Sequence, residues 1–237
     1  MLAVVDSKIP SQAAQALELA GFSLLPLPGH PALPAPVSSH PDMLLFFGKH
    51  RIYTTARYAE IAHKELSVIV DAAQKELCIL EAEINQEYPK DVLLNSFLLG
   101  ENLICHPSAT ALEIRRLEGT RLLPVRQGYA KCSAIPVGEV AMITADPSLE
   151  RMALQNGIDV LMLKQQSTRL EGYDTGFIGG AASLTPYSDH RVIYFCGDLY
   201  QHPQGKEIQL FCEKYGYVCT SLAPIPLTDV GTIIILP

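Results

Sequence analysis

Ala145-Asp146-Pro147-Ser148-Leu149-Glu150-Arg151-Met152-Ala153-Leu154-Gln155-Asn156-Gly157-Ile158-Asp159-Val160-Leu161-Met162-Leu163 is the stretch that decides the fold. Asp146 can accept hydrogen bonds from the free N–H groups of a first helical turn, and Pro147 suits the position after it. Asn156-Gly157 supplies stop chemistry, because glycine readily takes the left-handed conformation that ends a helix. The apolar run Ile158–Leu163 then reads as a buried strand. The same order recurs along the chain. His106-Pro107-Ser108 opens a helical stretch that closes at Glu118-Gly119, before the run Thr120–Val125. Asp6-Ser7-Lys8-Ile9-Pro10-Ser11 opens one that closes at Ala20-Gly21, before Phe22–Leu27. Gly197-Asp198-Leu199 opens one that closes at Tyr215-Gly216, before Tyr217–Leu222. A diverged unit repeating every roughly 40 to 60 residues points to radial or stacked repetition.

Two strands are expected ahead of each helix. First strands are read at residues 40–46, 88–95, 129–135, 173–178 and 227–234, and second strands at 51–54, 102–105, 140–144 and 192–195. These runs are short, apolar and rich in β-branched or aromatic residues. The copy after Asp42 is less regular, with a helix read at 58–64 and a closing strand at 67–70 or 77–80. The expectation is an α/β fold of five ββαβ units in one domain, residues 1–237. The units run from about 37 to 84, 85 to 126, 127 to 168 and 169 to 222, and the last joins 223–237 to 1–36. Closing a ring through the chain ends would remove exposed sheet edges. The proline-rich stretch 26–36 is then a loop within this arrangement, and Gly179-Gly180-Ala181-Ala182 suits a tight turn or close approach by a ligand.

Composition narrows the function classes. With 48% hydrophobic and 18% charged residues, the chain is a globular folder. No apolar run approaches the roughly 18 residues of a membrane span, and the strand-like N-terminus has no basic signal region. The six cysteines lack CxxC spacing, so reduced thiols and a cytoplasmic setting are expected rather than a disulfide or zinc framework. A net charge of −7 gives no basic footprint for nucleic acid. No cofactor, metal or membrane partner is expected, and the oligomeric state is not legible.

Superposing the first strands puts Asp42, Asp91, Cys132, Asp174 and Asp229 at nearly equivalent positions, just before each apolar run. Carboxylates converging on one axis need protons or a cation between them. A guanidinium pairs with them in bidentate fashion, and an amine or hard metal ion would also serve. A thiol among them could act as a nucleophile. Against this, an Asp before a strand is common turn chemistry, and Cys132 beside an apolar run also reads as a buried inert thiol. His40 is close enough in sequence to Asp42 for an acid–base role, with a solvated loop histidine as the plainer reading. His30, His50, His63, His190 and His202 read as exposed.

Gln127-Gly128-Tyr129-Ala130-Lys131-Cys132-Ser133, Gly172-Tyr173-Asp174-Thr175-Gly176-Phe177-Ile178-Gly179-Gly180-Ala181 and Pro226-Leu227-Thr228-Asp229-Val230-Gly231, within five ββαβ units, carry a resemblance. The pattern resembles the pentein or α/β-propeller fold of the guanidino-group-modifying enzymes, and an uncharacterised bacterial family assigned to that fold. The resemblance implies a hydrolase or amidinotransferase acting on a small guanidine or amine. It implies substrate-holding roles for Asp42, Asp91 and Asp174. The chain departs from the enzymes at two places. Asp229 stands in the last unit, where they usually carry the cysteine, and Ala181-Ala182 follows the glycine pair, where they often carry a histidine. An enzyme therefore needs a rearranged site, with Cys132 as nucleophile, His40 as acid–base group, and Asp42, Asp91, Asp174 and Asp229 holding a small cationic metabolite. The alternative is a non-catalytic binding module for a macromolecular partner or a small cationic ligand, as in the ribosome anti-association factor of the same fold.

Overall fold

The computed structural model describes residues 1–185 and 190–237. β1 (Leu2–Asp6), α1 (Ser11–Leu19) and β2 (Ser23–Leu27) come first, with β1 and β2 parallel. The short helix α2 (Pro41–Leu44) leads into β3 (Phe46–Phe47), which pairs antiparallel with β4 (Arg51–Thr55). Helices α3 (Ala56–Ile61) and α4 (His63–Ala73) then return the chain to β5 (Glu76–Leu80), parallel to β4. β6 (Phe97–Leu99), β7 (Asn102–Cys105), α5 (Leu112–Arg115) and β8 (Arg121–Pro124) repeat the antiparallel-then-parallel order. So do β9 (Ala134–Val137), β10 (Ala141–Thr144), α6 (Pro147–Gln155) and β11 (Asp159–Met162). β12 (Ser183–Leu184) precedes β13 (Val192–Phe195), α7 (Gly205–Lys214) and β14 (Val218–Ser221), with β13 and β14 parallel. The last strand, β15 (Ile233–Leu236), pairs antiparallel with β1, so the two ends of the sequence share a sheet.

Local chemistry explains these boundaries. Asp146 caps α6 as its spacing suggests, accepting from the N–H groups of Ser148 and Leu149 at 2.8 and 3.0 Å. Gly157 takes a left-handed φ of +70° just beyond that helix. The second strands lie close to where the sequence puts them. The closing strand after α4 is 76–80, and the alternative at 67–70 is helical. Among the described residues, no helix is long and apolar enough to cross a membrane.

The first strands differ from expectation. Residues 41–44 form α2, residues 90–92 form a single 3-10 turn, and residues 173–178 hold no strand. The strands start later, at Phe46, Phe97, Ala134, Ser183 and Ile233. The polar residues at these places bond through side chains and turns, and the residues after them that enter ladders are, Ser183 aside, apolar. β12 also pairs parallel with β15 rather than lying beside β13 in a ladder; an isolated bridge, Ala182 to Phe195, is its link to that sheet. The proline-rich stretch is a crossing segment, as read, and Tyr58 donates through its hydroxyl to the Pro28 carbonyl at 3.0 Å.

Of the glycine pair, Gly179 is approached by the protein's own backbone and Gly180 by the Asp229 side chain. A Cβ at Gly179 would lie 2.3 Å from the Ala134 carbonyl oxygen, 2.4 Å from that of Lys131 and 2.6 Å from that of Cys132. Rigid carbonyls cannot yield as a flexible side chain would. Gly179→Ala is therefore expected to cost more than about 4 kcal/mol, the range of severe packing lesions. Urea denaturation checks this, and a cost under about 1 kcal/mol would mean that the turn moves aside.

Candidate functional site

Asn95 ends the apolar run that follows the 3-10 turn at residues 90–92, and its side chain is fully buried. Its Oδ1 accepts the backbone N–H groups of Lys131 (2.9 Å) and Cys132 (3.1 Å). Its Nδ2 donates to the Asp42 carbonyl at 3.1 Å and faces the Cys132 Sγ at 2.9 Å. The thiol in turn donates to Asp42 Oδ2 at 3.2 Å. One amide thus ties α2 to the turn ahead of β9 and fixes where the thiol points. Burial pushes the Cys132 thiol well above its usual pKa, and the negative charges of Asp42 and Asp229 push the same way. The Asn95 hydrogen bond and the Lys131 charge oppose that shift.

Lys131 is 3% exposed, an uncommon state for an ammonium. Its Nζ donates to Thr232 Oγ1 at 2.8 Å and to the Gly179 carbonyl at 3.2 Å. Thr232 Oγ1 donates to Asp42 Oδ2 at 2.8 Å. Burial lowers the Lys131 pKa, opposed by attraction to Asp42, Cys132 and Asp229. Thr232 itself has φ +74°, left-handed backbone that a β-branched residue seldom adopts, at a cost of about 1–3 kcal/mol. Its side-chain contacts hold it there.

A second buried group adjoins the first. His40 Nε2 lies 3.3 Å from Asp6 Oδ2, within ion-pair range but not aligned as a hydrogen bond, and His40 Nδ1 lies 3.8 Å from Asp229 Oδ1. Asp6 also accepts from the Ser39 hydroxyl. Asp229 accepts from the backbone N–H of Phe177 (2.8 Å) and of Gly231 (3.0 Å). Burial raises its pKa, His40 pulls it down, and Asp42 adds to the rise. His40 is therefore buried rather than solvated, and its acidic neighbours are Asp6 and Asp229.

Of the residues singled out in the sequence, Asp42, Cys132, Asp229 and His40 belong to this buried polar region. Asp91 is buried apart from it, accepting a hydrogen bond from the Tyr129 hydroxyl. The Tyr129 ring stacks between Tyr88 and Phe177, with centroids 6.2 and 5.7 Å away. Asp174 is exposed, which corrects its expected convergence on the others. It sits in an irregular segment, 169–177, rather than at the head of a strand. His30 and His202 are buried, not exposed; each Nδ1 accepts a backbone N–H two residues ahead. Asn95, Thr232, Asp6 and Ser39 were not picked out. The available signal was a polar residue set inside or beside an apolar run, as in Leu93-Leu94-Asn95 and Gly231-Thr232-Ile233.

A cavity of about 630 Å³ opens beside this region. Five strands reach it, through Phe47 of β3, Leu98 of β6, Pro136 of β9, Leu184 of β12 and Ile234 of β15. Asp42, Lys131 and Thr232 form its inner, buried end. Lys49, Glu139 and Arg191, all exposed, mark its outer end together with the half-buried Lys75 and Tyr217. Cys132 does not line it. Asp42 Oδ1, buried at the inner end, has no hydrogen-bond partner. Among the described residues, no group of three or more His, Cys, Asp or Glu is placed to hold a metal ion.

The family of unknown function DUF6873 matches residues 4–234. The chain belongs to this family. No curated protein matches it in sequence. Solved structures do match in fold. Dimethylarginine dimethylaminohydrolase from Pseudomonas aeruginosa, a cysteine-to-serine variant complexed with citrulline, is 9% identical with a TM-score of 0.57, covering 93% of this chain and 91% of that one. The adduct of a dimethylarginine dimethylaminohydrolase with S-methyl-L-thiocitrulline is 10% identical, at 0.56 over the same shares. An amidinotransferase of the saxitoxin biosynthetic pathway from Microseira wollei is 10% identical, at 0.51, over 93% of this chain and 87% of that one. DUF6873 thus shares, in this member, the mixed α/β fold of guanidino-group-modifying enzymes.

Asn95→Ala would strand the buried N–H groups of Lys131 and Cys132, at about 1–3 kcal/mol each, so urea denaturation should show a loss of about 2–6 kcal/mol. Asp229 gives a pH test. Its folded pKa lies above the ordinary 3.8, so its contribution to stability is present at low pH and is lost as pH rises through the folded value. As pH rises from about 4, wild type should therefore lose stability relative to Asp229→Asn until the folded value is passed. A difference that does not change as pH rises from there would contradict the raised pKa.

Proposed function

We propose that this chain is a binding protein built on the guanidino-enzyme fold, taking a small ligand in its central cavity, and that Cys132 is structural. In this reading the five sheets are blades of a single ring-shaped domain, closed by β1 and β15, with the cavity on its axis. The observation that carries the proposal is the state of Cys132. It is 3% exposed, lies outside the cavity lining, and is kept protonated by burial and two carboxylates. A thiol attacks carbon as the thiolate, and reactive cysteines sit in electropositive, accessible surroundings. The acids are also occupied by the protein itself. Asp42 serves Thr232 and Cys132 through Oδ2, and Asp229 serves two backbone N–H groups. Lys131 Nζ already occupies the space beside them, donating to Thr232 Oγ1, which in turn donates to Asp42.

One observation favours the enzymatic reading. The Cys132 thiol touches the Asp42 carboxylate, a pairing from which a cationic guanidine could draw a thiolate. Cys132 would then be the nucleophile, His40 the acid–base group, and Asp42 and Asp229 the acids that hold the substrate.

Alkylation with iodoacetamide, read cysteine by cysteine by mass spectrometry, separates the two. In native protein near neutral pH, Cys219 should label ahead of the others, being partly exposed and having its pKa lowered by a hydrogen bond from Cys212. Cys132 should label only on unfolding, as should Cys105 and Cys196, whose pKa values burial pushes up to about 11 and about 12. Fast native labelling of Cys132 that L-arginine suppresses would replace the binding reading with the enzymatic one.

A further inference from the structure

We propose that the ligand of the central cavity is an organic anion with an apolar body, its acidic group held at the outer end by Arg191, Lys75 and Lys49. This rests on the binding reading above and adds the chemical class of the ligand.

The chain carries a net charge of −7, yet the outer end of the cavity runs against that balance. It presents Lys49, Lys75 and Arg191 with Glu139 as the sole acid among its described lining residues there. Such a local excess in an acidic protein favours an anion there. The rim is also ordered. The Arg191 guanidinium lies over the Tyr217 ring, 5.2 Å from its centroid. That ring packs on Gly138, where a Cβ would lie 3.6 Å from it. Lys75 Nζ donates to the Gly48 carbonyl at 2.7 Å and Lys49 Nζ to the Gly119 carbonyl at 3.2 Å, so both ammonium groups are anchored to backbone. An ammonium has three protons and can add an anion to such a contact. Burial lowers the Lys75 pKa, and a bound anion would favour its charged form.

The walls specify the body of the ligand. Phe47, Leu98, Pro136, Leu184, Ile193 and Ile234 are apolar, and a cavity of about 630 Å³ is in the usual range for small-molecule sites. At the inner end, Asp42 Oδ1 is a buried acceptor without a donor. Buried acceptors are ordinarily satisfied, so an N–H or O–H on the inner part of the ligand is the expected partner.

Two fluorescent probes of nearly the same shape test this. 8-Anilinonaphthalene-1-sulfonate has an aromatic body, an N–H and an anionic group, and N-phenyl-1-naphthylamine lacks only the anion. The folded protein should bind one equivalent of the sulfonate, at least about tenfold more tightly than the neutral amine. Arg191→Gln and Lys75→Gln should each remove much of that preference, leaving neutral-probe binding and the thermal melt unchanged. Lys49→Gln, at an exposed position, is a third variant should either of those disturb folding. Equal binding of the two probes, or a preference that survives all three variants, would overturn the anion assignment while leaving the cavity a binding site. Failure of both probes to bind would overturn the cavity reading itself.

Discussion

Everything near the centre of this protein is arranged around one buried ammonium, that of Lys131. Removing a charge from water is among the most expensive steps in folding, and it is tolerated only when hydrogen bonds and opposite charge replace the lost solvent. Here the replacements come from distant parts of the sequence: the Gly179 carbonyl, the Thr232 hydroxyl and, through it, the Asp42 carboxylate. Gly179 sits just ahead of β12, Thr232 just ahead of β15, and Asp42 in α2 just ahead of β3. Lys131, itself just ahead of β9, therefore ties the approaches to these strands together. The left-handed backbone of Thr232 and the side-chain-free turn at Gly179 follow from the need to bring a hydroxyl and a carbonyl to the same nitrogen.

The sequence showed most plainly what is set by local chemistry. The Asp146 cap and the Gly157 stop bound α6 as read, and the second strands fall close to their expected places because their apolar runs are continuous. The first strands were read too early. The residues before Phe46, Phe97 and Ala134 are apolar enough to pass for strand, but Asp42, Asp91, Asn95 and Cys132 spend their polar groups on distant partners and the backbone bends into helical turns. Those partners lie tens of residues away, so no local pattern could reveal them. For the same reason Asn95 and Thr232 escaped notice while Asp42 and Asp229, whose acidity recurs from unit to unit, did not. The exposure of Asp174 shows the limit of that logic: a repeated residue type marks a repeated turn, and the turn need not face the centre.

Two separate environments lie along the cavity and should not be merged. The inner one is polar, tied together by internal hydrogen bonds with one acceptor, Asp42 Oδ1, left over, and suited to holding the fold together. The outer one is apolar-walled, with a cationic rim carried by turns between strands and by residues at strand starts. Substitutions in the first act on stability before they act on anything else, because partners are left buried and unpaired. Rim substitutions leave the scaffold intact, since Lys49 and Arg191 are exposed. Ligand preference in this fold can thus change at the rim without disturbing the framework beneath it.

The pairing of β1 with β15 imposes an order on synthesis. Leu2, Ala3 and Val4 leave the ribosome long before Leu236, Ile235 and Ile234, the residues they pair with. Until then one edge of β1 has only solvent, or another chain, to bond with. An unpaired apolar strand edge is a template for wrong pairing. The helix and parallel strand that follow β1 cover its other edge early, but the remaining edge is left open until β15 arrives. Misassembly between nascent copies would therefore begin at the N-terminal strand, and a chaperone guarding this chain would have most to do there.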